Sequence, residues 1–114
     1  MNEPSKQLPD FSLNDLSGTA HAFPAGRAAL LCFVKEDCPT CAIAMPLVEA
    51  FHRAFGSKVA VLAIGQEAAG NRLLAERHSL TCPLLDDSAL RVSFAYAFDT
   101  VPMVFLADRA GIAL

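Results

Sequence analysis

Three stretches of the chain, residues 28–34, 59–64 and 101–106, are apolar nearly without interruption. Runs with no polar face predict strands buried inside a covered sheet. Between them the apolar positions change to helical spacing. Ile43, Leu47, Val48, Ala50, Phe51, Ala54 and Phe55 predict a helix over 42–55, ended by Gly56 and Ser57. Pro46 lies inside it and predicts a bend, because proline has no N–H for the helical ladder. Leu73, Leu74 and Arg77 predict a second helix over 70–78. Asp86, Asp87 and Ser88 form a capping cluster that predicts a third over 89–96. Pro83-Leu84-Leu85 reads as a short extended piece. Ahead of the first run, Phe11, Ser12 and Leu13 alternate, 14–18 reads as a turn, and 19–23 as the partner strand of a hairpin. Residues 1–9, with Pro4 and Pro9, read as an extended arm. A turn at 108–111 joins two strands, so the sheet is expected to be mixed and the fold α/β.

Composition narrows the class without changing this picture. A length of 114 residues suits one small domain, 1–114, and 54% hydrophobic residues are enough to bury a core. The net charge of -3, with no cluster of Lys or Arg, argues against a nucleic-acid surface. No apolar run reaches the roughly 18 residues that a membrane span needs. The first seven residues are polar, so the reading is a cytoplasmic protein, or a periplasmic one if a leader or anchor has been removed.

Candidate chemistry sits at Cys38-Pro39-Thr40-Cys41, between a predicted buried strand and a predicted helix. Two cysteines separated by two residues at such a junction form a redox motif. Free N–H groups and a partial positive charge at the helix start favour a thiolate at Cys38. Cys38 is therefore the expected nucleophile, and Cys41, one turn on, the expected resolving thiol. Lys35 favours the thiolate and Glu36 and Asp37 oppose it, so these three are candidates for redox tuning. Only a modest depression of the Cys38 pKa is expected, with a reducing rather than strongly oxidising couple. A zinc site needs about four ligands, and no second cysteine pair or paired histidine motif is present. A static or slow pair remains the structural alternative. Cys32 reads as a small core residue, Cys82 as a structural or regulatory thiol. His21, His52 and His78 have no ligand at metal spacing, and Phe94, Tyr96 and Phe98 read as core and loop packing.

With these residues in view, the chain resembles the thioredoxin fold, and within it the TlpA/ResA-like thiol–disulfide oxidoreductases of the redoxin superfamily. The resemblance is carried by residues 8–13 with Leu16-Ser17-Gly18, by Leu31-Cys32-Phe33-Val34 leading into the cysteine pair, by Met45-Pro46, and by Val101-Pro102 followed by 105–111. It implies a mixed sheet flanked by helices, with an N-terminal hairpin. It implies a cis Val101–Pro102 bond, with the Val101 backbone opposite the cysteines. Val101 and Pro102, with Pro39 and Thr40, would then bind a substrate peptide as a short strand. It implies protein thiols and disulfides as partners and no cofactor beyond a Cys38–Cys41 disulfide. Three positions depart from the pattern: Asp37 stands where the family usually has Trp, and Cys32 and Ala44 where relatives carry a proton-relay carboxylate. Leu31 and Lys35 occupy positions that are Pro and Thr in peroxiredoxins, which argues against a thiol peroxidase. The fold also implies a further strand and a covering helix after Gly111. The chain's end at Leu114 reads as truncated, lacking that C-terminal helix, with one sheet face left partly exposed for self-association. An interaction module with a slow or structural cysteine pair is the alternative from another class.

Overall fold

The computed structural model describes residues 6–114. Its elements are β1 (Phe11–Asn14), β2 (Ala20–Phe23), β3 (Ala29–Val34), α1 (Pro39–Phe55), β4 (Ala60–Gly65), α2 (Ala68–His78), β5 (Leu84–Asp86), α3 (Arg91–Tyr96) and β6 (Met103–Ala107). β1 and β2 form an antiparallel hairpin. The main sheet has the order β5-β4-β3-β6, parallel except for β6, which runs antiparallel to β3.

β3 organises this sheet. All six of its residues are buried, and their alternation supplies two separate cores. Leu31 and Phe33 face a core closed by the hairpin and α3, where the Phe33 ring lies 4.7 Å from Phe98 and 5.1 Å from Tyr96. Leu30, Cys32 and Val34 face the other core, under Cys41, Met45 and Val48 of α1 and Leu74 of α2. The sheet is thus covered on both sides, which is why β3 and β4 lack the apolar–polar alternation of a half-exposed strand. At β6 the cover on the α1 side thins. Val104 and Leu106 are paired with Cys32 and Leu30 and share their face, yet are 49% and 46% exposed.

Several expectations are corrected. The sheet is mixed because β6 itself opposes β3; the 108–111 turn leads only to isolated bridges, Ala107 to Ala113 and Gln7 to Ile112. α2 begins at Ala68, two residues earlier than its apolar spacing indicates. α3 begins at Arg91, not at 89, because Leu90 adopts a left-handed conformation (φ 62°) that no helix can continue through. The buried Asp87 still caps α3, from across a turn. Its carboxylate accepts the N–H groups of Val92 and Ser93 and the Ser93 hydroxyl, at 3.3, 2.8 and 2.7 Å. Val101 and Pro102 precede β6 rather than begin it. Their peptide bond is cis, and so is Phe23–Pro24, which the sequence did not announce. Pro46 is accommodated within one 17-residue helix.

Of the predicted arm, residues 1–5 lie outside the described region. Residues 6–9 are docked. The Leu8 N–H donates to Gly111 O at 3.0 Å, Ala113 N–H donates to Lys6 O at 2.8 Å, and Leu8 is buried. The Tyr96 hydroxyl donates to Pro9 O at 2.6 Å, tying the arm to α3. Tyr96→Phe keeps the ring packing and loses this bond, so a loss of about 1 kcal/mol is expected. Urea unfolding reads it as a lower midpoint at unchanged slope.

Candidate active site

The geometry around Cys38 follows from how the chain leaves β3. Lys35, Glu36 and Asp37 form a short turn closed by the Cys38 N–H on Lys35 O at 3.3 Å. Cys38 is extended (φ -101°, ψ 114°) and serves as the N-cap of α1, with Pro39 in the first turn, where its missing N–H costs nothing. The Cys41 N–H donates to Cys38 Sγ at 3.3 Å. Sulfur here does what a Ser or Asp oxygen does at an ordinary N-cap. It therefore sits where a negative charge is favoured by free N–H groups and by the helix dipole.

The two thiols are driven apart electrostatically. The Cys38 thiol is held below its ordinary value, first by the S–H of Cys41, then by the Cys41 N–H, and further by the N–H and hydroxyl of Thr40; partial burial opposes them. Cys41 is fully buried, and burial is the main reason its thiol is pushed up to about 12. Its hydrogen bond to Cys38 and the Cys38 charge raise it further, while the Lys35 N–H, donating to Cys41 Sγ at 3.4 Å, works the other way. One thiol ionises first and the other holds the proton that stabilises it. Thr40→Val removes the hydroxyl donor alone, so the Cys38 titration is expected to move upward. Ultraviolet thiolate absorbance measures it; an unchanged midpoint would remove Thr40 from the list of donors.

The structure brings Val101 to this pair and sets the neighbouring acidic residues against cations. Cys38 S–H donates to Val101 O at 3.6 Å, and the Val101 N–H makes no hydrogen bond to the described residues. Pro102 is half-buried beside it, and Pro39 and Thr40 are exposed between the cysteines. Glu36 accepts from Arg77 at 3.1 Å, and Asp37 lies 3.9 Å from Lys35 Nζ. Each carboxylate named as opposing the thiolate thus has its own cation.

Cys32 is wholly buried beneath α1, and burial pushes its thiol up to about 11. Cys82 is pushed up to about 12, by burial and then by Glu49. All four cysteines are free thiols. Glu49 is the residue that sequence reasoning missed. It is 6% exposed, on the helix that carries the pair, and accepts the Thr81 N–H, the Thr81 hydroxyl and the Cys82 N–H at 2.8, 2.6 and 3.0 Å. Arg53 donates to it at 2.8 Å. Burial alone would raise its pKa; these bonds outweigh burial and bring it to about 2. Among the described residues no group of three or more His, Cys, Asp or Glu side chains is placed to hold a metal ion. Likewise, no described helix is long and apolar enough to cross a membrane.

Comparison with known proteins agrees with this architecture. The chain is 30% identical over 114 residues to the thioredoxin-like protein YneN of Bacillus subtilis, covering 94% of this chain and 66% of YneN. It is 30% identical over 108 residues to the thiol-disulfide oxidoreductase ResA of Geobacillus thermodenitrificans, covering 90% of this chain and 62% of ResA. The chain thus spans a little under two thirds of the length of these relatives. The thioredoxin domain of a thiol-disulfide oxidoreductase from Bacteroides vulgatus superposes with a TM-score of 0.86 at 16% identity, over 99% of this chain and 87% of that one. The α/β fold with its mixed sheet flanked by helices is therefore thioredoxin-like. The AhpC/TSA family model matches residues 4–113, and on that match the chain belongs to the AhpC/TSA family.

Proposed function

We propose that the protein is a thiol–disulfide oxidoreductase acting on protein disulfides, in the reducing direction, with Cys38 as nucleophile and Cys41 as resolving thiol. The observation that carries this reading is the division of labour within the pair: a half-buried N-cap sulfur favoured as thiolate, beside a buried sulfur that keeps its proton. The ResA relative is named a thiol-disulfide oxidoreductase.

The Cys38 thiolate attacks one sulfur of a substrate disulfide. A mixed disulfide forms, and the other substrate sulfur leaves as thiolate and takes a proton from water. Cys41 then gives its proton to water and attacks Cys38 Sγ. The Cys38–Cys41 disulfide forms, and the second substrate sulfur leaves as thiolate. The substrate gains two electrons and the protein loses two. A reduced dithiol must restore the pair. No metal or organic cofactor takes part in these steps.

The Val101 N–H and C=O flank Cys38 and would hold the substrate backbone as a short strand, with Pro102, Pro39 and Thr40 shaping the approach. Lys35, Glu36 and Asp37 tune the couple through the ion pairs already described. The second step is the slow one. Once Cys38 is bonded to substrate its charge no longer raises the Cys41 pKa, but burial, the largest cause, persists. Neither Cys32 nor Ala44 offers a carboxylate to take the proton. The exposed β6 face, with Val104 and Leu106, is the surface through which two copies would associate; sedimentation that shows only monomer removes that part.

Insulin reduction with dithiothreitol as donor tests the main reading. Precipitation of the insulin B chain is expected well ahead of dithiothreitol alone. No acceleration by the reduced protein would overturn the proposal in favour of an interaction module. Peroxide that oxidises Cys38 far faster than a free thiol would overturn it in favour of a peroxidase.

A further inference from the structure

Beside Cys38 lies a cleft of about 320 Å³ that the exchange steps do not use, lined among others by Lys35, Gln66, Leu90, Phe94, Phe98 and Val101. It adjoins the reacting sulfur through its wall residue Val101, whose carbonyl lies 3.6 Å from Cys38 Sγ. We propose that this cleft receives a large apolar side chain next to the reacting cysteine of the substrate, with Phe94 and Phe98 as specificity-determining residues. The proposal rests on the thiol-exchange reading and deepens it by naming the substrate sequence the site prefers.

Three observations carry it. The first is Phe94 itself, 78% exposed although α3 buries Val92 and Tyr96 on its other face. A phenylalanine held in water at the mouth of a cleft is an anchor without its partner. The second is how firmly it is held there. α3 is six residues long, and non-glycine residues in the left-handed region bound it at both ends, Leu90 (φ 62°) and Ala97 (φ 55°). The buried Asp87 fixes its first turn through Val92 and Ser93. Strain of this kind persists only where its surroundings enforce it, and it gathers at sites that must present a group in one place. The third is the floor and rim. Phe98 packs on Phe33 of β3 with ring centroids 4.7 Å apart, so the apolar floor is continuous with the core. The lining mixes Leu90, Phe94, Phe98 and Val101 with polar residues that include Lys35 and Asp99, as in a site with apolar contacts and a polar surround.

The occupant follows from position. A peptide paired with the Val101 backbone runs extended, advancing about 3.3 Å per residue with alternate side chains on opposite sides. With its cysteine at Cys38, a neighbouring side chain falls over Val101 and Phe98, within reach of Phe94. Leucine, methionine or phenylalanine matches this lining, and serine or aspartate does not.

Two disulfide-linked peptides, identical except for Phe or Ser beside the cysteine, test this with dithiothreitol as donor. The wild-type protein is expected to favour the Phe peptide about tenfold in kcat/KM, the scale of a moderate change in apolar contact. In Phe94→Ser that ratio is expected to fall toward one, and in Phe94→Leu to keep an intermediate value. No preference in the wild type, or a preference that Phe94→Ser leaves intact, overturns the proposal. An equal loss on both peptides, which a merely structural role would give, overturns it too. Hydroxyethyl disulfide separates the two levels. If the wild type reduces neither it nor the peptides, the exchange reading fails and this inference with it. If it reduces all three without preference, only this inference fails.

Discussion

A Cys41→Ser variant mixed with a disulfide-bonded protein substrate accumulates a covalent adduct, and a Cys38→Ser variant accumulates none. The asymmetry comes from burial and hydrogen bonding. Cys38 Sγ is half-buried and receives the Cys41 N–H, so it can meet a foreign disulfide as thiolate. Cys41 Sγ is fully buried and cannot. Serine at 41 keeps a hydroxyl donor facing Cys38 and preserves the first step while deleting the second, so the mixed disulfide has no internal exit. Serine at 38 deletes the proposed nucleophile, and insulin reduction is expected to fall to the dithiothreitol background. Mass spectrometry of acid-quenched mixtures distinguishes these outcomes. An adduct on Cys32 or Cys82, or one that forms equally in Cys38→Ser, contradicts the assignment. The first step also carries a pH signature. With the Cys38 pKa below that of an ordinary thiol, adduct formation rises with pH through that lowered value and then levels off.

The largest expected effect on stability lies at Glu49. Glu49→Ala leaves the buried Cys82 N–H without an acceptor, at a cost of about 1–3 kcal/mol, and removes the part-buried bonds to the Thr81 N–H and hydroxyl, each contributing about 1 kcal/mol. A total of about 3 kcal/mol, and roughly 10 °C in Tm, is expected by thermal or urea unfolding. The pH dependence has a definite sign. The Glu49 pKa in the folded chain, about 2, is below its ordinary 4.5. Its contribution is therefore complete above 4.5 and is lost as the pH falls from there through 2. Glu49→Gln has no such titration, so over that window its stability changes less with pH than the wild type's. A Glu49→Ala variant within 1 kcal/mol of wild type would show that the clamp between α1 and the Thr81–Cys82 segment contributes little.

What could be read from the chain beforehand divides along physical lines. β3 and β4 were legible because burial on both faces leaves no polar residue in the run. α1 was legible because its apolar positions repeat with helical period. The cysteine pair was legible because its spacing and junction are local. What escaped depends on partners far along the sequence. Glu49, read locally, is a charged residue on a helix; its partners lie 32 and 33 residues on, and two of them are backbone N–H groups. Glu36 beside Cys38 reads as a charge against the thiolate until Arg77, 41 residues away, is seen to neutralise it. The start of α3 was misplaced because the capping acid, Asp87, reaches across a turn made by the left-handed Leu90. Phe94 reads as core and loop packing from the sequence because an aromatic near Tyr96 and Phe98 is usually buried. Only the orientation of α3 shows that Tyr96 points inward and Phe94 does not.

A redox titration with mass mapping of the disulfide at each potential decides whether Cys38 and Cys41 form a reversible and reducing couple. One two-electron transition is predicted, assigned to Cys38–Cys41, nearer the thioredoxin value of about -270 mV than the oxidant value of about -120 mV. A transition near -120 mV, or a disulfide that includes Cys32 or Cys82, would contradict the account.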